Sequence, residues 1–221
     1  MWGLITVLVD SLIPRLREIF ELSYFQAGLV QFAFFIAYGL VSIPAGKLLH
    51  RIGYQRGIMV GLVVMGFGCL LFLPAASLRW YGLFLLAYFT LASGMTLLQV
   101  AANPFVTVLG EPATAASRLN LSQAFNSLGT TLAPALGAIF ILSDSVLSSD
   151  ELARLDESSK SAYFSVEASA VQGPFLFLAL ALFMLAAVIL KSELPKLLKE
   201  SPDSQYGQVL KERKLVLGAI G

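Results

Sequence analysis

The segment LLQVAANPFVTVLG, residues 97–110, is strongly apolar yet carries a glutamine, an asparagine and a proline near its middle. The rest of the chain is apolar as well. Of its 221 residues, 57% are hydrophobic and 13% are charged, and the mean hydropathy is +0.78. Soluble domains carry about 25% charged residues. The composition therefore indicates a membrane protein, in which polar side chains inside a span need a polar neighbour.

Six apolar runs are long enough to cross a bilayer as helices, which takes about 20 residues. Backbone groups have no partner in lipid, so these runs are predicted to be helical. The expected fold is an all-α membrane protein with a six-helix bundle over residues 1–190. Its spans are placed at residues 1–20, 25–50, 56–77, 80–109, 119–143 and 171–190, followed by a cytoplasmic linker at 191–214 and the start of a seventh span at 215–221.

Basic residues fall unequally on the two sides of these spans. One side is predicted to carry Lys47, Arg51, Arg56, Arg118, Lys191, Lys196, Lys199, Lys211, Arg213 and Lys214, and the other Arg15, Arg17, Arg79, Arg154 and Lys160. The more basic side is expected to be cytoplasmic, with both termini inside. The formal net charge of +1 gives no sign of a nucleic-acid partner.

Three of the predicted spans carry polar side chains. An aspartate at a helix centre costs about 2.5–3.5 kcal/mol on insertion scales, so Asp10 is expected to face a cavity or a partner. Residues spaced i, i+3, i+7 share one helical face. That face holds Thr96, Gln99 and Asn103, with Pro104 beside them, in the fourth span, and Asn120, Gln123, Ser127 and Thr130, with Asn126 beside them, in the fifth.

These amides have two interpretations. Each could hydrogen-bond a neighbouring helix and stabilise packing by about 0.6 kcal/mol. Together they favour the lining of a hydrated site for a polyhydroxylated solute, because the Asn and Gln side chains both donate and accept hydrogen bonds. The candidate binding residues are Gln99, Asn103, Gln123 and Asn126.

The segments WGLITVLVDSLIPRL, ELSYFQAGLVQFAFF, LLQVAANPFVTVLG and SRLNLSQAFNSLGTTLAP resemble the amino-terminal half of the fucose/galactose/glucose permeases, the sugar:cation symporter branch of the major facilitator superfamily. The resemblance implies an inner-membrane sugar transporter of twelve spans in two halves, each a 3+3 inverted repeat. This chain would supply the first half and the start of the seventh span. Its implied partners are a small-molecule sugar, the bilayer and a carboxy-terminal six-helix half.

The resemblance also implies roles for individual residues. Asp10 matches a first-span aspartate associated with proton coupling and sugar binding, and Gln123 and Asn126 match fifth-span positions that contact sugar. Gln99 stands where the fucose permease has a glutamate, and glutamine carries no proton. This favours a hexose, glucose or galactose, over fucose, with Asp10 binding either a proton or a sodium ion.

The segment GKLLHRIGYQR, residues 46–56, resembles the cytoplasmic signature loop of the superfamily. Its predicted gating residues are Gly46, His50, Arg51, Gly53 and Arg56, with His50 in the usual acidic position. Glycines permit a tight turn, and bases can cap helix ends or pair with carboxylates. The alternative is an ordinary basic cytoplasmic loop.

Other functional classes fit less well. An intramembrane serine protease needs a base beside its nucleophile, and the only histidine, His50, lies in a predicted loop, so the chain is not expected to be an enzyme. No ring of like groups or filter indicates a channel. No cofactor or metal site is predicted. A six-span half-transporter that dimerises, or a remnant without transport activity, stays as the alternative to one half of a longer permease.

Overall fold

The computed structural model describes residues 3, 5–7, 23–141 and 155–192. Within them the chain forms five α-helices, α1 to α5. These are Tyr24–Ile52, Tyr54–Leu78, Tyr81–Val108, Ala115–Ile141 and Glu157–Lys191, with a 3-10 turn at Pro112–Thr114 before α4. Most of the predicted first span, the linker beyond residue 192 and the predicted seventh span lie outside the described residues.

Four helices of the described part are long and apolar enough to cross a membrane, namely α1, α2, α3 and residues 172–191 of α5. Helix α4 has 27 residues and is long enough, at about 1.5 Å per residue. It is not among these four. The protein is thus an all-helical membrane protein, and a count of six spans stays a prediction.

Helix α5 begins earlier than the sequence predicts. The predicted spans at 119–143 and 171–190 leave a connection between them that is rich in Ser, Asp and Glu, but the helix already starts at Glu157. Polar residues keep a segment out of lipid but do not prevent it from forming a helix. A helix of 35 residues is about 52 Å long, which exceeds a hydrocarbon core of about 30 Å, so its polar first part can extend beyond the membrane. Hydrogen bonds from the Ser158 and Ser159 side chains lower the pKa of the preceding Asp156 carboxyl to about 2, which keeps a negative charge at the helix amino terminus.

The predicted gating loop is not a loop. Helix α1 continues to Ile52 and α2 begins at Tyr54, which leaves Gly53 as a one-residue junction. Its φ of 80° and ψ of 168° lie in a region that is essentially restricted to glycine. Gly46, His50 and Arg51 therefore belong to α1, and Arg56 belongs to the first turn of α2.

Helices α2 and α3 form the centre of the bundle because glycines let their backbones approach closely. A Cβ atom added to Gly94 would lie 2.5 Å from the Met65 nitrogen and 2.8 Å from the Gly61 oxygen. A Cβ atom on Gly61 would lie 2.8 Å from the Leu98 nitrogen. Small residues are the usual device for close helix packing in membranes. Gly61 therefore faces α3 inside the bundle.

Helix α5 is held against α2 at both ends. The Gln55 side-chain nitrogen donates to the carbonyl oxygens of Ile189 at 2.8 Å and Ser192 at 2.7 Å. At the opposite end, the Gln172 nitrogen donates to Ser77 Oγ at 2.8 Å. Carbonyls in the last turn of a helix lack intrahelical partners, so Gln55 satisfies groups that lipid could not.

Helix α1 packs on α3 through a hydrogen bond and aromatic rings. The Tyr81 hydroxyl donates to the Gln26 carbonyl oxygen at 2.7 Å. Further along, the rings of Phe34 and Tyr88 have centroids 5.6 Å apart. Helices α1 and α3 therefore run in the same direction. The contacts of α2 with α3 and α5, and of α4 with the end of α3, show that α2 and α4 run in the opposite direction and that α5 runs parallel to α3.

We expect Gly94→Ala to destabilise the bundle, because the new methyl group would overlap the α2 backbone. Overpacking costs about 1–3 kcal/mol, which corresponds to a fall of about 2–10 °C in the unfolding temperature. Thermal unfolding in detergent measures this. Gly39→Ala is the matched control, since a Cβ atom there has no neighbour within 4 Å. An equal fall for both variants would contradict close packing at Gly94.

Candidate functional site

A row of polar side chains crosses three helices. Gln99 and Asn103 lie one turn apart on α3, and both are partly buried. The Gln99 Nε2 atom donates to the Tyr38 hydroxyl on α1 at 2.8 Å. The Asn103 Oδ1 atom accepts a long hydrogen bond, 3.4 Å, from Gln123 Nε2 on α4. The structure thus pairs Asn103 with Gln123, both predicted from the sequence, and pairs the predicted Gln99 with Tyr38, which was not predicted.

Asn126, the fourth predicted binding residue, contacts the start of the chain. Its Oδ1 atom accepts from the Gly3 backbone N–H at 2.8 Å. Nearby, the Thr6 hydroxyl donates to the sulfur of Met95 on α3 at 3.2 Å. The described residues of the predicted first span therefore touch both helices that carry the amides. Asp10 itself lies outside the described residues. We call Tyr38, Gln99, Asn103, Gln123 and Asn126 the polar row.

Two hydroxyl groups on the predicted polar faces do not join this row. Thr96 is 2% exposed, and its hydroxyl donates to the Ala92 carbonyl of its own helix at 2.8 Å. The Thr130 hydroxyl likewise donates to the Ser127 carbonyl at 2.8 Å. A hydroxyl can satisfy itself on its own helix in this way. An amide has more donor and acceptor sites, and those of the polar row reach other segments.

Tyr38 was missed although the sequence carries a signal for it. It follows Phe34 and Phe35 in the second predicted span, where an aromatic side chain is expected to face lipid or to pack against a neighbouring helix. Tyrosine differs from phenylalanine because its buried hydroxyl usually has a hydrogen-bond partner. Tyr38 lies near the middle of α1, far from the interfaces where the hydroxyl would meet water. A mid-span tyrosine therefore predicts a polar neighbour.

The predicted gating residues lie together at one end of the bundle. His50, Arg51 and Arg56 are exposed, and within the described ranges none of their side chains has a hydrogen bond or ion pair. Gly53 supplies the junction, where its N–H donates to the Leu49 oxygen at 2.8 Å. A gating role for this cluster stays a prediction.

Arg118 fixes the connection between α3 and α4. Its guanidinium donates to the carbonyl oxygens of Val106 at 3.1 Å, Thr107 at 2.7 Å and Glu111 at 3.1 Å, and to Thr114 Oγ1 at 2.5 Å. These acceptors lie at the end of α3 and in the turn after it. The sequence predicts Arg118 only as a basic residue of the cytoplasmic side. The structure shows that it caps the helix that carries Gln99 and Asn103.

Known proteins are similar to this chain along almost its whole length. Residues 2–220 match the family model of the Major Facilitator Superfamily. A glucose/galactose transporter of Brucella abortus is 53% identical over 224 residues, which cover 100% of this chain and 51% of that protein. An L-fucose-proton symporter of Escherichia coli is 38% identical over 209 residues, which cover 94% of this chain and 48% of that protein.

Solved structures agree with these matches. A crystal structure of a major facilitator superfamily transporter in the outward conformation superposes with a TM-score of 0.83 at 36% identity, covering 100% of this chain and 53% of that one. A variant of the fucose:proton symporter of E. coli gives a TM-score of 0.81 at 32% identity, covering 99% and 52%. The chain spans about half the length of the curated relatives it matches, corresponding to their amino-terminal half.

We expect Arg118→Lys to loosen the α3–α4 connection. A lysine ammonium keeps the charge but cannot reach four acceptors spread over two turns. Hydrogen bonds to charged groups contribute about 1.5–3 kcal/mol when buried, and Arg118 is only partly buried, so we expect a loss of about 1–2 kcal/mol in unfolding free energy. Thermal unfolding in detergent measures it. Arg56→Lys, at an exposed site, is the control, and equal stability of the two variants would show that Arg118 does not hold the connection.

Proposed function

Because the chain belongs to the major facilitator superfamily, we propose that it forms half of a secondary transporter that imports a hexose together with a proton or a sodium ion. The predicted resemblance to sugar permeases is confirmed by relatives that are sugar transporters rather than enzymes. The substrate, the coupling ion and the second half are our proposals for this chain.

The polar row is the observation that carries a sugar site. The contact between Asn103 and Gln123 joins α3 to α4, and the contact between Gln99 and Tyr38 joins α3 to α1. Sugars present hydroxyls that donate and accept, and amides match both functions. The Asn103–Gln123 contact, at 3.4 Å, uses only one N–H of Gln123 and one oxygen lone pair of Asn103. The remaining donor and acceptor sites of these amides support a role in binding a polyhydroxylated solute.

Two observations support a hexose over fucose. Gln99 stands where the resemblance implies a glutamate in the fucose permease, and it makes a neutral hydrogen bond with Tyr38. The glucose/galactose transporter of B. abortus is 53% identical to this chain, compared with 38% for the L-fucose-proton symporter of E. coli. We therefore propose glucose or galactose as the substrate.

Asp10 is the proposed coupling residue. An ionised carboxylate within an apolar span is costly, so binding a proton or a sodium ion would favour the conformation in which Asp10 is less hydrated. A ligand that binds one conformation better shifts the population toward it. Loading Asp10 on one side and unloading it on the other would then couple ion and sugar.

We propose that the protein lies in the inner membrane with both termini in the cytoplasm. Arg51, Arg56, Arg118 and Lys191 lie at one end of the described bundle, as the ends of their antiparallel helices require. A basic end is expected on the cytoplasmic side. There Gly46, His50, Arg51, Gly53 and Arg56 would help to close the inner face.

The proposed transporter is completed by a second six-helix half. Secondary transporters of this fold bind substrate between two halves, and this chain spans about half of each relative's length. The alternatives are a second copy of the same chain, or a remnant without transport activity. Uptake by the product of the intact reading frame, with its mass and oligomeric state, distinguishes them.

Sugar binding tests the proposal directly. We expect Gln123→Ala to weaken glucose or galactose binding about 3- to 10-fold, the effect of one neutral hydrogen bond of about 0.5–1.5 kcal/mol. The measurement is equilibrium binding of labelled sugar to the purified protein. Gln172→Ala is the matched control, because this glutamine also bridges helices but at the end of the bundle. Its affinity should stay unchanged.

Absence of glucose or galactose binding by the natural protein would overturn the proposed substrate. An equal loss of affinity in both glutamine variants would show that Gln123 acts through packing.

Asp10→Asn tests the coupling. The variant keeps the size and polarity of the side chain but cannot exchange a proton or hold a cation by charge. In proteoliposomes we expect it to exchange labelled hexose across the membrane without accumulating it against a gradient. The natural protein should accumulate hexose under a proton or a sodium gradient, and the gradient that works identifies the ion. Accumulation by the variant would contradict the role of Asp10.

A further inference from the structure

We propose that Tyr38 and Gln99 act together as a specificity-determining pair that reads two adjacent hydroxyl groups of the sugar. This inference rests on the proposed function and adds Tyr38, on α1, to the binding residues. Tyr38 and Gln99 face each other across two helices, with the hydroxyl 2.8 Å from the amide nitrogen. Both side chains are partly buried, so each retains an accessible portion.

The tyrosine is held in place by its ring. The ring centroids of Tyr38 and Phe34 are 5.1 Å apart, and Phe34 in turn lies 5.6 Å from the ring of Tyr88 on α3. Tyr88 is 1% exposed and belongs to the core. Tightly packed aromatic side chains do not move freely. The ring of Tyr38 therefore packs through Phe34 against the core, and its hydroxyl lies beside Gln99.

The pair still offers both donors and acceptors after its internal hydrogen bond is made, because the Gln99 amide has two N–H groups and an oxygen. With the Gln99 nitrogen donating, Gln99 Oε1 can accept and the Tyr38 O–H can donate. If the amide is turned over, the Tyr38 O–H donates to Oε1, and the amide nitrogen becomes the outward donor beside the phenol oxygen. Within the described residues, neither group has another hydrogen-bond partner. Both arrangements leave a donor next to an acceptor.

Two adjacent hydroxyl groups on a sugar ring have the complementary pattern, because one can accept while its neighbour donates. An ionised glutamate at position 99 would remove this match, since it would accept from Tyr38 and leave only acceptors facing outward. The neutral glutamine thus gives the pair a donor, and Tyr38 completes it. Tyr38 would contact the sugar itself, beyond holding α1 to α3.

A structural role and a binding role for Tyr38 make different predictions for deoxy sugars. The experiment measures the affinity of the protein for the hexose and for a set of deoxy analogues, each of which lacks one hydroxyl. We expect Tyr38→Phe to weaken binding of the parent hexose about 5-fold or more. For the analogue that lacks the contacted hydroxyl, the same substitution should have no effect. Loss of helix packing alone would weaken binding of every sugar by the same factor.

Tyr81→Phe is the matched control. It also removes a tyrosine hydroxyl that connects α3 to α1, through the Gln26 carbonyl at 2.7 Å, but at the end of the bundle. Its affinities for all the sugars should stay unchanged. Gln99→Leu gives a second test that leaves Tyr38 intact. Its loss of affinity should disappear for the analogue that lacks the same hydroxyl, or for the analogue that lacks the neighbouring hydroxyl on the ring.

If Tyr38→Phe and Gln99→Leu each weakened binding of all the analogues by the same factor, the inference would be overturned, but the proposed hexose transport would not be affected. Failure of the natural protein to bind any hexose would overturn the proposed function itself. Selective losses confined to one pair of adjacent hydroxyls would establish the pair.

Discussion

Lipid offers no hydrogen-bond partner, and this constraint governs every polar group inside the bundle. The side chains of Gln55 and Gln172 satisfy groups at helix ends, and Arg118 satisfies the carbonyls that terminate α3. Isolated hydroxyls such as that of Thr96 bond to their own helix. Among the described residues, only the polar row places amides from different helices near each other in the interior of the bundle. It is therefore the part of the described structure where a polar solute could replace contacts made within the protein.

The bundle has a close-packed centre and less buried flanks. Gly61 and Gly94 bring α2 and α3 together, and α5 is held to α2 at both ends. The outward faces of α1 and α4 instead carry large exposed apolar side chains, among them Phe35 at 67% and Phe125 at 67%. Such exposure suits contact with lipid or with another helical half. Since α3 belongs to the packed centre, Gln99 and Asn103 occupy fixed positions, whereas their partners lie on the flanking helices.

Hydropathy predicts the positions of the apolar helices because spanning length is a simple physical requirement. It does not predict where helices end in water. The start of α5 at Glu157 and the one-residue junction at Gly53 depend on backbone conformations that polar composition does not reveal. Helical spacing identified Gln99, Asn103 and Gln123, since one face of a helix can be read from the sequence. Tyr38 could not be paired with Gln99 in this way, because their contact depends on how α1 packs against α3.

The two contacts of the polar row respond differently to a movement of α4. A relative shift of α4 by about 1 Å would break the 3.4 Å contact between Asn103 and Gln123, which is already at the limit of a hydrogen bond. The contact between Gln99 and Tyr38 joins α3 to α1, so a shift of α4 alone would leave it in place. A ligand that bridges α3 and α4 would therefore stabilise one arrangement of these helices over another. A ligand shifts the population only by as much as it binds one conformation more tightly than the other, and contacts with both α3 and α4 would provide such a difference.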